Sequence, residues 1–342
     1  MTKEISAQVK KETSPSVLDA YTGKTILITG GRGFIGSALT QSLAAVNAKL
    51  ILLDRSKAGV WMPEHDKAEV AVLNGDVTIP STWESVLSGV DCIFHLASQD
   101  YIRGPDADPS LDLQINALSV LHMLEICRRS QFFPHIVFAS SANLFGLVDS
   151  LPVNEDYLNS PLIPWVAHKL LAENYLRIYA EQYGIGSTIL RLTNIYGPTP
   201  RRPFMNRVVI NSMIAKALAG ETLTLYVNHG CIRDYLFLSD VVQAFLLAGI
   251  PADPSARRSD MYVIGSGRGN TIAETWKLIA DRVSLHTNKT VPVDIDLSIE
   301  VRPFEMRNFI ANSMRFHSAT GWEPRVGMTE GIDLTIQALT AS

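Results

Sequence analysis

The stretch TILITGGRGFIG, Thr25 to Gly36, constrains the fold more than any other part of this 342-residue chain. A short aliphatic run ends in clustered glycines, and a helical pattern, GFIGSALTQSLAAV, follows at once. Gly31, Gly33 and Gly36 satisfy G-x-G-x-x-G, and Gly30 adds another permissive backbone position. Such a turn lets a pyrophosphate reach backbone N–H groups at a helix start, where the helix dipole favours anions. The flanking strand and helix patterns supply the context that the motif requires. The next apolar run ends at Asp54, 18 residues beyond Gly36, where a carboxylate accepts hydrogen bonds from an adenosine ribose. Arg32 suits a 2′-phosphate, which Asp54 repels; the balance favours NAD, with NADP as the alternative. Asp76, in LNGDV, reads equally as an adenine contact or as a turn cap. His95, at the end of the next run, reads as a hydrogen-bonded structural residue.

The glycine turn opens a repeating pattern. KTILITG, KLILLD, EVAVLNGD, VDCIFHLAS, HIVFASS and STILRLTN are short, aliphatic and nearly continuous, as strands buried on both faces are. Helical stretches such as LDLQINALSVLHMLEICRRS and PWVAHKLLAENYLRIYAEQYG separate them. Six β-α repeats imply an α/β, Rossmann-type, doubly wound parallel sheet with ligands at the carboxyl ends of its strands. After Asn194 the regularity breaks at Pro198, Pro200 and Pro203, and shorter mixed elements suggest a smaller C-terminal substrate-binding lobe. The expected division is a polar lead-in over 1–22 and a dinucleotide-binding domain over 23–195 plus about 236–266. The substrate lobe then takes about 196–235 plus 267–342.

Composition excludes several function classes. The hydrophobic share of 46% supports a sizeable core, and a formal net charge of −4 gives no case for nucleic acid or anionic membrane. Cys92, Cys127 and Cys231 form no CxxC and no metal-ligand spacing, so no metal and no disulfide framework is expected. No run approaches the roughly 20 apolar residues of a membrane span. The first residues lack the apolar core of a signal peptide, and the expected location is cytoplasmic.

TGGRGFIG, GDV, HLAS, QINALSV, SSANLFG, RLTNIYGP, RDYLFLSD and RPFEMRNF occur in this order, followed by TGWEP and TEGIDLTI. From Lys24 onward the chain thereby resembles the extended short-chain dehydrogenases/reductases, specifically the NAD-dependent epimerase/dehydratase group acting on nucleotide sugars. The resemblance implies cofactor contacts at Gly30, Gly31, Arg32, Gly33, Phe34, Ile35, Gly36, Asp54, Arg55, Asp76, Val77, Leu96, Ala97, Ser98, Asn116 and Lys169. It implies substrate contacts at Ser141, Asn143, Asn194, Arg233 and Arg302, the two arginines gripping a diphosphate. Arg201, Arg202 and Arg207 read as mostly solvated, one of them reaching phosphate. Helices of this family pair into four-helix dimers, so a homodimer is expected.

The family's reaction uses a tyrosine acid/base, a lysine four residues later, and a Ser or Thr that orients the sugar hydroxyl. Ser141 and Lys169 match, but Trp165 stands at the tyrosine position, and indole is a donor only, with no usable proton-transfer group at neutral pH. His168, three residues on, and Tyr157, in the preceding loop, are the candidate substitutes. Ala142 and Asn143 occupy the positions where sugar 4,6-dehydratases carry an Asp-Glu pair. What remains is redox at one carbon: a 4-epimerase or 4-ketoreductase with an unconventional proton donor. The competing reading is a binding protein that has lost turnover.

Overall fold

The computed structural model describes residues 15–55, 61–64, 67–99, 108–200, 208–251, 253 and 255–341. Helix α1 (Pro15–Asp19) leads to β1 (Thr25–Thr29), α2 (Phe34–Leu43), β2 (Lys49–Asp54), β3 (Glu69–Asn74), α3 (Pro80–Val86) and β4 (Cys92–His95). Then α4 (Pro109–Leu113) passes through a π-helical turn, Gln114–Leu118, into α5 (Ser119–Ser130). β5 (His135–Ser141) ends in a 3₁₀ turn, Ala142–Phe145, and α6 (Pro164–Tyr183) precedes β6 (Ser187–Leu192). Next come β7 (Asn194–Tyr196), α7 (Val209–Leu218), β8 (Leu223–Leu225), β9 (Ile232–Phe237), α8 (Leu238–Ala248) and β10 (Ser259–Ile264). The chain ends through β11 (Gly269–Thr271), α9 (Ile272–Thr287), β12 (Val293–Ile295), α10 (Met314–Thr320) and α11 (Met328–Thr340).

Seven strands form a parallel sheet in the order β10-β6-β5-β4-β1-β2-β3. The order reverses between β1 and β4, and that switch point opens the crevice where open α/β sheets bind ligands. All six expected strands are present as β1 to β6. The seventh, β10, was missed because SDMYVI is an edge strand with only Val263 and Ile264 fully buried, so it lacks a continuous apolar run.

Each face of the sheet has its own core. Leu39 and Leu43 of α2 meet Val241 and Phe245 of α8 on one face, while Trp83, Leu124 and Leu176 cover the other. A third cluster, including Ile210, Leu223, Trp276, Ile279 and Ile332, holds α7, α9 and α11 around the two-stranded β12-β8 sheet. At about 25 cal/mol per Å² of apolar surface, these three clusters outweigh any single polar contact in holding the elements together.

The polar lead-in needs correcting at its end. Tyr21 is a core residue at 1% exposure, packed on Phe94, and its hydroxyl donates to the Leu246 carbonyl. An aromatic ring and a satisfied hydroxyl anchor the chain there. Residues 1–14 and the loop carrying Arg201, Arg202, Pro203 and Arg207 lie outside the described residues. Among the described residues no helix is long and apolar enough to cross a membrane.

Candidate active site

The glycine turn is built for close approach. Gly30 takes φ +65°, in the left-handed region, and a Cβ there would come within 3.0 Å of the Ala97 backbone nitrogen. A Cβ on Gly36 would lie 2.2 Å from the Gly30 carbonyl oxygen, so α2 seats on the turn only because position 36 is glycine. Gly33 is the N-cap of α2, and no side chain caps its first N–H groups. A backbone cradle that any Cβ would fill, with free helix-start donors, fits a nucleotide pyrophosphate. Arg32, within the turn, is buried. Asp54 ends β2 on the neighbouring strand, as a ribose contact requires.

Asp76 acts as a turn cap. Its Oδ1 accepts from the Thr78 backbone N–H at 2.9 Å and from the Thr78 hydroxyl at 2.8 Å, while Arg55 stands 4.0 Å from Oδ2. His95 is structural, as expected. Its Nδ1 lies 2.9 Å from Thr29 Oγ1, its ring sits between Trp83 and Phe138, and burial with nearby Lys169 pushes its pKa down to about 3.

Pro164 takes the first helical position of α6, where its missing N–H costs nothing. The first turns of α6 then carry Trp165, His168 and Lys169. Ser141 ends β5 and is buried, with its Oγ accepting from the Asn143 backbone N–H at 3.2 Å. Lys169 is 2% exposed; its Nζ donates to the Ala139 carbonyl at 2.9 Å and lies 4.6 Å from the centre of the Phe138 ring. Burial pushes its pKa down to about 8, with Asp112 and Glu173 pulling the other way.

The tryptophan is part of a polar chain that the sequence did not reveal. Trp165 Nε1 donates to Ser98 Oγ at 3.5 Å, and Ser98 Oγ donates to Asn116 Oδ1 at 2.7 Å. Asn116 Nδ2 donates to Asp112 Oδ1, and Asp112 Oδ2 lies 2.7 Å from His168 Nδ1. Asp112 is 1% exposed, so this carboxylate depends on its two partners. The only sequence signal for it was the four-residue spacing from Asp112 to Asn116 on one helix face.

A cavity of about 440 Å³ opens at Asn143, two residues beyond Ser141. Asn143, Asn194, Arg233 and Arg307 line it, together with Tyr235 and Trp276. Asn194 Nδ2 donates to the Asp234 carbonyl at 3.0 Å. Arg233 donates to the Glu305 and Arg307 carbonyls and so holds the 303–307 segment against β9. Burial, and then Arg233, push the Arg307 guanidinium down to about 10. Arg302 is exposed and is not among the lining residues. The second arginine of RPFEMR, which the sequence reading passed over, is the one at the cavity. Tyr157 packs its ring against Phe145, and its hydroxyl accepts from the Asp149 backbone N–H at 2.6 Å.

The model of the NAD dependent epimerase/dehydratase family matches residues 26–265 of the chain. The UDP-glucose 4-epimerase of Mycolicibacterium smegmatis is 28% identical over 321 residues, covering 91% of this chain and 97% of that one. A UDP-glucose 4-epimerase from Thermotoga maritima, solved with UDP-glucose, has TM-score 0.80 at 28% identity, over 93% of this chain and 99% of that one. The Thermus thermophilus UDP-glucose 4-epimerase in complex with NAD has TM-score 0.78 at 28% identity, over 92% and 98%.

Proposed function

The chain belongs to the NAD dependent epimerase/dehydratase family, and on that premise we propose that it performs NAD-dependent redox at C4 of a nucleoside-diphosphate sugar. A 4-epimerase or a 4-ketoreductase fits, with the proton handled without the family's tyrosine. One observation carries this reading. Asn143 joins the two halves of the site: its backbone N–H donates to Ser141 Oγ, and the same residue lines the 440 Å³ cavity. The candidate reaction centre and the candidate substrate cavity are therefore contiguous.

The turn from Gly30 to Gly36 would hold the NAD pyrophosphate, Asp54 its adenosine ribose, Leu96 to Ser98 its path along β4, and Lys169 the nicotinamide ribose. NAD supplies a reversible hydride acceptor when bound. The chain's own residues do the rest. Arg233 and Arg307 bring two guanidinium groups into one cavity, a mutual repulsion that a sugar-nucleotide diphosphate relieves. Ser141 orients the sugar hydroxyl, Asn194 meets the nucleotide side, and the apolar indole of Trp165 keeps water from the reacting carbon. A homodimer through the α5 and α6 faces belongs to the same proposal and is checked by light scattering.

Trp165 also favours a second reading, a NAD- and sugar-nucleotide-binding protein without turnover, since its N–H is already committed to Ser98. Turnover assays with a panel of sugar nucleotides, on wild type and Trp165→Tyr, separate the two. An active wild type that loses rate or changes substrate preference on Trp165→Tyr supports the enzyme. Binding of both ligands with no exchange or reduction, and activity created by Trp165→Tyr, supports the binder.

A further inference from the structure

Resting on the nucleotide-sugar reading of the cavity, we propose that Asn143 determines which sugar is accepted. Its side-chain amide reads a hydroxyl on a carbon flanking the reacting one, and the sugar that fits is an uncharged hexose. Among the described residues three asparagines line the cavity. Two of them place an amide donor on the protein itself. Asn194 Nδ2 donates to the Asp234 carbonyl at 3.0 Å, and Asn228 Nδ2 to the Glu305 carbonyl at 3.4 Å. Asn143 is half-buried, and among the described residues its amide has no hydrogen-bond partner. A partly desolvated amide with donor and acceptor both free calls for a partner from outside the protein.

The backbone beneath that amide is fixed. The Asn143 N–H donates to Ser141 Oγ at 3.2 Å, and the Asn143 carbonyl accepts from the Gly146 N–H at 3.1 Å. Gly146 holds φ +66°, in the left-handed region, and a Cβ there would lie 2.1 Å from the Ser160 carbonyl oxygen. The Ser160 N–H donates to the Leu144 carbonyl at 2.8 Å, and Leu144 and Phe145 are fully buried. Because Asn143 fills an acceptor site on Ser141 Oγ, the serine O–H is left to donate to a sugar oxygen. An asparagine amide lies up to about 5 Å from its own backbone nitrogen, so this one is within roughly 8 Å of Ser141 Oγ. Two hydrogen bonds of about 2.8 Å and the gap between neighbouring sugar hydroxyls fill that span. A hexose held at its C4 hydroxyl by Ser141 thus offers Asn143 its C3 or its C6 hydroxyl.

Charge fixes the class of sugar. The charged side chains lining the cavity are Lys216, Arg233 and Arg307 against Glu305, a surplus of two positive charges. A sugar-nucleotide diphosphate, with one negative charge on each phosphoryl group, matches that surplus. A carboxylate on the sugar would then find no lining cation to meet it, and Asn143 offers it only a neutral amide. It would lose hydration without gaining an ion pair, whereas a hydroxyl finds both donor and acceptor on the amide.

The test is isothermal titration calorimetry on protein loaded with NADH, which accepts no hydride and so leaves the sugar unreacted. UDP, dTDP, GDP, CDP and ADP are screened first. The tightest binder supplies the probes: its glucose, 3-deoxyglucose, 6-deoxyglucose and glucuronic acid conjugates. Wild type should bind the glucose conjugate at least about tenfold more tightly than the glucuronate. Asn143→Ala keeps both backbone bonds of the turn, so affinity for the bare nucleotide should stay within about twofold and report an intact cavity. The same variant should weaken the glucose conjugate roughly 2- to 10-fold, the worth of one neutral hydrogen bond. It should leave one deoxy conjugate unchanged, the one lacking the hydroxyl that Asn143 reads, and that arm separates C3 from C6. A glucuronate bound as tightly as glucose overturns the proposal. So does an Asn143→Ala variant that leaves glucose unchanged, or that weakens glucose and both deoxy forms alike, as a merely structural residue would. In each of these cases binding of the bare nucleotide leaves the nucleotide-sugar reading standing. A wild type that binds none of these nucleoside diphosphates overturns both.

Discussion

Lys169 and Arg191 are two cations buried to the same degree, each 2% exposed, on either side of Glu173. Their surroundings could hardly differ more. Arg191 meets both oxygens of Glu173, with Nη2 2.5 Å from Oε2, donates to Asn159 Oδ1 at 2.7 Å, and lies over the Phe145 ring. Lys169 has the Ala139 carbonyl and the Phe138 ring. Arg191 places each of its three nitrogens on Glu173 or Asn159, and so ties α6 to β6 and to the loop that precedes α6. An undersatisfied ammonium is costly to keep, and such costs concentrate at functional sites. Burial alone does not distinguish a structural charge from a functional one; the partner list does.

The strongest way to break this comparison is Arg191→Met. Glu173 would become an uncompensated buried carboxylate, and loss of one member of a buried pair costs about 3–5 kcal/mol. Chemical denaturation should show that loss, and a change under about 1 kcal/mol would mean that the pair is dispensable. Lys169→Met should go the other way in stability. A lysine held at about 8 instead of 10.5 carries on the order of 3 kcal/mol of unfavourable electrostatics when protonated, which methionine removes. The sign follows from linkage. Between pH 8 and 10.5 the unfolded chain binds the proton that the folded chain has released, so stability rises with pH across that window. Lys169→Met should therefore melt higher than wild type at pH 7, with the advantage shrinking toward pH 10. A variant that melts lower at pH 7 would mean that the ammonium is held by partners after all.

These two cations also mark what the sequence could and could not carry. The strands β1 to β6 were legible because burial on both faces forces continuous aliphatic runs. Ser141, Trp165 and Lys169 could be named as candidates because the family resemblance rests on short local motifs, at one strand end and one helix turn. Which carboxylate faces which cation was not legible. Asp112 and His168 are 56 residues apart, and Glu173 and Arg191 are 18 apart on different elements, so no periodicity links them. Tyr21 and β10 were missed for a related reason. A single anchoring aromatic, and an edge strand covered on part of its length, leave no pattern to read. Arg307 was passed over for Arg302 because both stand in one six-residue run, and only the fold of the 303–307 segment separates them.

A similar contrast between half-buried Arg307 and exposed Arg302 predicts smaller effects in the substrate cavity. Arg307, desolvated and beside Arg233, should matter for binding: Arg307→Ala should raise KM for a nucleoside-diphosphate sugar roughly 10- to 100-fold, the worth of a charge-assisted hydrogen bond. The rate at saturation should change little, because the diphosphate is held equally in the ground and transition states. An unchanged KM would move the diphosphate elsewhere.

Arg302→Ala should have the smallest effect of the set. The side chain is exposed, at the N-cap of the 3₁₀ turn Pro303–Met306. What the segment takes from residue 302 is backbone: its N–H donates to Glu305 Oε2 at 2.8 Å and its carbonyl accepts from the Glu305 N–H at 2.8 Å. Alanine keeps both groups, so the turn and the carbonyls that Arg233 grips should survive. An exposed arginine acting on a diphosphate across solvent is worth less than about 1 kcal/mol, so KM should rise less than about fivefold. The residual effect should fade in 0.5 M salt, where the screening length falls below about 5 Å, while the Arg307→Ala effect should persist. If Arg302→Ala instead costs more than Arg307→Ala, the segment rotates on binding to carry Arg302 into the cavity, and the ranking by burial fails at this site.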